Sequence, residues 1–300
     1  MSMHKSGFVS VVGRPNVGKS TLLNRILKEK LSITSNKAQT TRNKITMIHT
    51  DDRGQIVFLD TPGIQSPKNK LGDYMLKTSV SSMEGVDVIL MVVDMSDYLG
   101  PKDKMILDAM DKEGKDIPAI LVINKVDMAP RDEVLPIIAK FAAMERFDDI
   151  VPVSALKDEN VDHLLDVIFD HLPEGPQYFP EDMITDQPEK FIVAELIREK
   201  GLFYLRDEVP HGLAVSIDSM KEPEGKDIME IQATIYVERD SHKGIIIGKD
   251  GQMLKRIGTE ARKEIEAFLS ERVNLRLWVK VSKNWREKDE KVKAFGYKAD

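Results

Sequence analysis

Gly13-Arg14-Pro15-Asn16-Val17-Gly18-Lys19-Ser20 brings to one loop the residue types that a polyphosphate requires. Glycines at its first and sixth positions let the backbone curl so that N–H groups point at phosphate oxygens. Lys19 adds positive charge over the β and γ phosphates, Ser20 offers a hydroxyl to Mg²⁺, and Thr21 closes the run. Asp60-Thr61-Pro62-Gly63 follows an apolar stretch, with Asp60 suited to Mg²⁺ through a water and the Gly63 N–H to the γ-phosphate. A threonine in a polar loop should close over the metal: Thr41 is favoured within Ser35–Arg42, with Thr40 the alternative. Catalysis of phosphoryl transfer therefore falls to Lys19, Thr41 and Gly63, and the metal to Ser20, Thr41 and Asp60.

Base choice rests on Asn124-Lys125-Val126-Asp127. A carboxylate accepts two hydrogen bonds from guanine N1–H and N2–H₂, whereas adenine offers no such donor pair. Asp127 alone is thus worth roughly 10⁴ or more in favour of GTP over ATP. Asn124 is expected to tie the base loop to the phosphate loop, the Lys125 stem to cover the base, and the Ala155 N–H of Ser154-Ala155-Leu156 to reach guanine O6. One part is missing: Ile64 stands directly after Gly63, where a water-orienting glutamine is common, and Gln65 is out of register. Slow intrinsic turnover of GTP to GDP and phosphate is the consequence.

These groups need a scaffold that delivers loops to one edge. Short β-rich runs alternate with helical patterns through the first ~170 residues, which is the pattern of a mostly parallel sheet covered on both faces. Strands are expected near 8–13, 44–51, 54–60, 87–94, 118–124 and 149–153, and helices near 18–29, 72–83, 101–112, 132–144 and 161–171. Asp51-Asp52-Arg53-Gly54 makes a tight turn, so one edge strand should be antiparallel. A Pro/Gly-rich stretch from His171 to Pro180 reads as the start of a linker. The expected division is a GTPase domain over 1–172, a linker over 173–188 and a smaller α+β domain over 189–300. In the last, a helix near 188–200, strands near 212–220 and 228–238, a helix near 251–269 and a strand near 273–281 are expected.

Composition bounds the rest. The chain has 300 residues, no cysteine, 41% hydrophobic content and a net charge of −6, which excludes disulfides and thiolate chemistry. With no apolar run near the ~18 residues of a membrane span, a cytosolic protein is expected. Residues 242–298 carry 15 Lys+Arg against 8 Asp+Glu, leaving −13 for the remainder. Such asymmetry fits a polyanion-binding surface appended to an acidic body.

Within that basic segment, Ile245-Ile246-Ile247-Gly248-Lys249-Asp250-Gly251 followed by a basic amphipathic helix resembles the KH RNA-binding module. Two glycines at a helix N-terminus admit a phosphate backbone, and about four nucleotides fit beside an apolar groove. Ile247, Gly248, Lys249, Asp250, Gly251, Lys255, Lys280, Lys283, Trp285 and Arg286 are the candidate RNA contacts. Trp278 is expected in the core and Trp285 at the surface.

The four nucleotide elements resemble the small-GTPase superfamily, in its bacterial translation-factor-related branch. Joined to one C-terminal KH module, they resemble the Era family across nearly all 300 residues. Ser32–Arg42, Phe179-Pro180-Glu181-Asp182, Ile197-Arg198-Glu199-Lys200 and Leu277-Trp278-Val279-Lys280-Val281 are also close to that family's pattern. This resemblance implies small (30S) subunit assembly and 16S rRNA processing, with the KH module (type II) on the 3′ end of 16S rRNA in a GTP-dependent way. It also implies loose association with the inner face of the cell membrane and a catalytic role for Asn16 in holding a potassium ion, the alternative being a loop-stabilising asparagine; a monomer is expected. The other reading is a GTPase acting in RNA modification or another RNA-linked process.

Overall fold

The computed structural model describes residues 4–298 other than Ala38, residues 96–99 and Lys226. Ala38 of the polar loop therefore lies outside the described residues. The chain divides into two compact units, Met1–Ser32 with Thr41–Pro67 and Gly72–Asp186, and Ile33–Thr40 with Lys68–Leu71 and Gln187–Asp300.

In the first unit the order is β1 (Lys5–Gly13), α1 (Lys19–Leu27), β2 (Ile45–Asp51), β3 (Gly54–Asp60), α2 (Lys70–Ser81), β4 (Val88–Val93), α3 (Pro101–Glu113), β5 (Ala119–Ile123), α4 (Arg131–Ala142), β6 (Asp149–Pro152) and α5 (Val161–His171). The strands pair in the order β2-β3-β1-β4-β5-β6. Only β2, joined to β3 by the Asp51–Gly54 turn, runs antiparallel. Continuous Val/Ile/Leu/Met runs make β4 and β5 buried at every position, as strands covered on both faces must be. In α5 the buried set Val161, Leu164, Leu165, Ile168 and Phe169 follows the helical period, so one stripe packs inward. Because β1, β3, β4, β5 and β6 are parallel, their C-terminal loops share one edge, where ligands of such sheets bind.

The proline-rich stretch after α5 is strapped to this sheet. The Ser6 N–H donates to the Pro173 carbonyl at 3.1 Å and the Ile48 N–H to that of Ile184 at 2.9 Å. Gln55 Oε1, on buried β3, accepts the N–H groups of Tyr178 and Phe179, both at 2.9 Å.

The second unit holds α6 (Glu189–Tyr204), β7 (Ala214–Lys221), β8 (Met229–Val237), α7 (Asp240–Ile247), α8 (Gln252–Leu269), β9 (Val273–Val281) and α9 (Asp289–Ala294). Its sheet runs β7-β8-β9, with β9 parallel to β8 at one edge. Helix α6 carries charge where a core helix would be apolar: Arg198 is 1% exposed and Glu199 4%. Arg198 pairs with Glu195 at 2.5 Å and donates to the Thr40 carbonyl. Glu199 accepts the Thr34 N–H at 2.9 Å, and Lys37 donates to the carbonyls of Leu202 in α6 and of Leu205 directly after it. The Ile197–Lys200 motif thus holds the Ile33–Thr40 segment.

Three expectations for this unit are corrected. No helix is expected between the second strand and the glycine loop, but Ile245–Ile247 ends helix α7, in which only Ile246 is fully buried. The order is therefore helix, strand, strand, helix, helix, strand, with α9 added. The two tryptophans exchange places. Trp285 is 0% exposed, donates to the Gly212 carbonyl at 2.9 Å and stacks on Tyr297, whereas Trp278 is 44% exposed. Trp285 therefore presents no face to RNA, and Arg286 is mostly buried in an ion pair with Glu238 at 2.5 Å. Among the described residues no helix is long and apolar enough to cross a membrane.

Candidate nucleotide and nucleic-acid sites

The loop from β1 to α1 is fixed by its own glycines. Gly18 has φ 99, and a Cβ there would lie 2.3 Å from Asn124 Nδ2. That closeness lets Asn124 donate to the Val17 carbonyl at 2.9 Å while its Oδ1 accepts the N–H groups of Lys125 and Ala155. Asn124 is thus the clamp between phosphate loop and base loop that its position after β5 predicts. The same geometry engages the Ala155 N–H, the expected partner of guanine O6, with Asn124 in this structure.

Lys19 is 6% exposed, its Nζ 3.3 Å from the carbonyls of Gly13 and Arg14. Burial lowers its pKa to about 8, with the attraction of Asp60 offsetting part of the loss. Asp60 is fully buried, and burial raises its carboxyl above the usual range, partly countered by Lys19 and by hydroxyl donors. Its Oδ2 accepts from Ser20 at 2.8 Å and Ser32 at 2.7 Å. Thr41 Oγ1 lies 2.9 Å from Ser20 Oγ. Thr40 instead donates to the Lys37 carbonyl at 2.7 Å. Of the two threonines, Thr41 is the one beside the predicted metal ligands.

Around this centre, Thr61 donates to the Val11 carbonyl at 2.7 Å, and the Pro62 carbonyl accepts from Ser79. Ile64 is 1% exposed in the core, its N–H on the Gly13 carbonyl at 3.1 Å. Its side chain therefore packs inward with the core cluster of Val12, Ile89 and Met91. Arg14 turns from the loop towards Asp94 at 2.9 Å and Asp103 at 3.0 Å. Asn16 is exposed with φ 69, and Lys125 Nζ donates to its carbonyl at 2.6 Å. Pro15, Thr21, Gly63 and Val126 are partly buried, Val17 is buried, and Leu156 is 69% exposed. Asp127 Oδ1 accepts from Ser154 at 2.6 Å, which fixes the carboxylate that would read the base.

Three participants are assigned no role from the sequence. Ser32 sits in an otherwise apolar Leu31–Ile33 run and holds Asp60. Asn24 of α1 shapes that turn by accepting the N–H groups of Leu31 and Ser32 at 3.1 and 3.0 Å. Arg25 donates to the carbonyls of Ala155 and Leu156 at 3.2 and 3.1 Å, bracing the Ser154–Leu156 loop.

In the second unit, Gly248 turns the chain between α7 and α8. Its φ is 72, and a Cβ would meet that of Met253 at 2.7 Å. Lys249 and Asp250 project as exposed residues and Ile247 is partly buried. From Gly251 a groove of about 400 Å³ runs between α8 and β9, with Leu254, Leu275 and Leu277 against Lys255, Arg262 and Asn274. A groove that starts at Gly251, with leucines inside and cations at its edge, suits a single strand whose phosphates meet the loop and whose bases meet the leucines. Lys280 and Lys283 are exposed beyond it.

Comparisons with known proteins agree with both halves. The family described as 50S ribosome-binding GTPase matches residues 8–125, and the KH domain family matches residues 208–286. GTPase Era of Clostridioides difficile (strain 630) is 54% identical over 296 residues, 98% of this chain and 99% of that protein. GTPase Era of Alkaliphilus oremlandii is 52% identical over 293 residues, 98% and 99% of the two chains. A crystal structure of an Aquifex aeolicus Era variant bound to GDP·AlF₄⁻ superposes with TM-score 0.94 at 44% identity, covering 98% of this chain and 100% of that one. Era in complex with MgGDPNP and nucleotides 1506–1542 of 16S ribosomal RNA gives TM-score 0.95 at 44% identity, covering 99% and 100%.

Proposed function

The chain belongs to the Era family of GTPases, and on that premise we propose that it grips the 3′ end of 16S rRNA during small-subunit assembly, timed by GTP. It hydrolyses GTP to GDP and phosphate, and in the proposed arrangement Gly13–Thr21 wraps the phosphates while Asp127 selects guanine. One observation carries the reading: the oxygens of Ser20, Thr41 and Asp60 converge within 2.9 Å contacts beside a buried lysine.

Those residues fit Mg²⁺. The donors are all oxygen, and Asp60 Oδ1 is buried with no hydrogen-bond partner, the arrangement expected of a ligand set awaiting a hard cation. Ser20, Thr41 and Asp60 would hold it, and the ion would neutralise charge building on the β and γ phosphates. Lys19 supports the same charge from the loop side, and the Gly63 N–H faces the γ-phosphate. With Ile64 buried, orientation of the attacking water falls outside the position after Gly63, and turnover without a partner is slow. Exposed Asn16 would hold a potassium ion that adds the missing charge; equal rates in KCl and NaCl remove that role. The KH groove from Ile247 to Lys255, with Lys280 and Lys283, takes the RNA strand. A cytosolic monomer working on the 30S subunit, with peripheral contact to the membrane, completes the reading.

The test is binding of the full chain to a 3′-terminal fragment of 16S rRNA, with GTP analogue or GDP, for the native protein and Lys249→Glu. Tighter binding with the analogue, lost in Lys249→Glu, is expected. Binding that ignores both nucleotide and substitution refutes it.

A further inference from the structure

Strand β9 lies at the sheet edge and alternates strictly. Val273, Leu275, Leu277 and Val279 face the helices as part of the core or packed on it. Asn274, Arg276, Trp278 and Lys280 occupy the other face, each ~6.6 Å from the next along the strand. Trp278 is 44% exposed, and Arg276 and Lys280 on either side are exposed too. Across the sheet Trp278 stands opposite Thr234, which is 1% exposed and donates to Asp218 at 2.6 Å. The indole therefore stands beside a buried neighbour whose own hydroxyl is already hydrogen-bonded. A large flat ring left in water between two cations on an edge strand suits a nucleobase with a phosphate on each side.

The surface is continuous with the KH groove. Leu277, which lines the groove, is the chain neighbour of Trp278, and Asn274 lines the groove while sharing the face of Trp278. We propose that this outer face of β9 is a second contact for single-stranded RNA, extending the path beyond the groove. One base stacks on Trp278, and the flanking phosphates pair with Arg276 and Lys280. The inference rests on the RNA-binding reading above.

The test uses the full chain with two single-stranded RNAs from the 3′ end of 16S rRNA, one of four nucleotides, enough for the groove, and one of eight. Trp278→Ala is expected to weaken the longer RNA about tenfold, the scale of one base–aromatic stack, and to leave the shorter unchanged. Trp278→Phe should restore most of the loss. Replacing Arg276 with Gln should reduce the salt dependence by about one phosphate contact for the longer RNA alone. Unchanged affinity of Trp278→Ala for the longer RNA overturns the inference. If Lys249→Glu also leaves both RNAs bound as before, the RNA-binding reading itself has failed, so the two failures are distinguishable. Trp278 is half in solvent, so melting temperatures equal to the native protein's are expected and would exclude misfolding as the cause.

Discussion

Replacing Lys19 with Met should stabilise the nucleotide-free protein while abolishing nucleotide binding. Burial lowers the Lys19 pKa from 10.5 to about 8, and at 1.36 kcal/mol per unit the buried ammonium costs about 3 kcal/mol at neutral pH. Methionine keeps the length and volume of the stem without the charge. The two hydrogen bonds lost are long, at 3.3 Å, and Asp60 keeps its Ser20 and Ser32 donors. The sign with pH follows directly. Between about pH 8 and 10.5 the unfolded chain holds the Lys19 proton and the folded one does not, so native stability rises with pH there, whereas the variant lacks this rise. Calorimetric melting of both proteins, free of nucleotide, from pH 7 to 10.5 isolates the residue because other titrations cancel in the difference. Near pH 7 the variant should melt higher by roughly 6–12 °C in the transition of the first unit, at 2–4 °C per kcal/mol. The gap should close towards pH 10.5 and reverse at neutral pH when GTP is added. A variant that melts lower at every pH without nucleotide refutes the argument.

Trp285→Ala should cost about 3–5 kcal/mol, the range for deleting a fully buried aromatic, and lower the melting transition of the second unit. An unchanged transition would contradict its burial against Tyr297 and Phe295. Gly18→Ala should weaken GTP binding at least tenfold in titration calorimetry, because its Cβ meets Asn124 Nδ2 at 2.3 Å and breaks the Asn124–Val17 clamp. Native affinity in that variant would mean the two loops need no bridge.

The catalytic unit was legible because burial and local pattern coincide there. β3 over 54–60 and α5 over 161–171 match their expected spans, since an unbroken apolar run and a clean helical stripe each admit one solution. Helix α7 was not legible, because three successive isoleucines carry no 3.6-residue signal and two of them remain partly or largely exposed. The exchange of the tryptophans has a sharper cause. Alternation separates two faces of β9, and the apolar set is odd-numbered, so Trp278 belongs to the face turned away from α6, α7 and α8. Trp285 follows the strand among lysines, and its cover comes from Phe295 and Tyr297, which lie beyond it in sequence. The roles of Ser32, Asn24 and Arg25 were not legible because a lone polar side chain has no spacing to read.

The nucleotide centre is unfinished by its own chemistry, and that is the strongest argument for what it binds. Lys19 and Asp60 are both buried, and each is pushed towards its neutral form by desolvation, with their mutual attraction making up only part of the cost. Hydroxyls of Ser20 and Ser32 satisfy one carboxylate oxygen and leave the other without a hydrogen-bond partner. A self-contained structural ion pair would instead close both charges on each other. Arg14, which has the reach to help, is committed to Asp94 and Asp103. A polyphosphate with its divalent cation supplies an anion to Lys19 and a cation to Asp60 at once, so binding relieves two desolvation costs together. Coupling of this kind makes nucleotide affinity and folding stability two readings of one free energy, and it places both on residues that no hydrophobic pattern could have revealed.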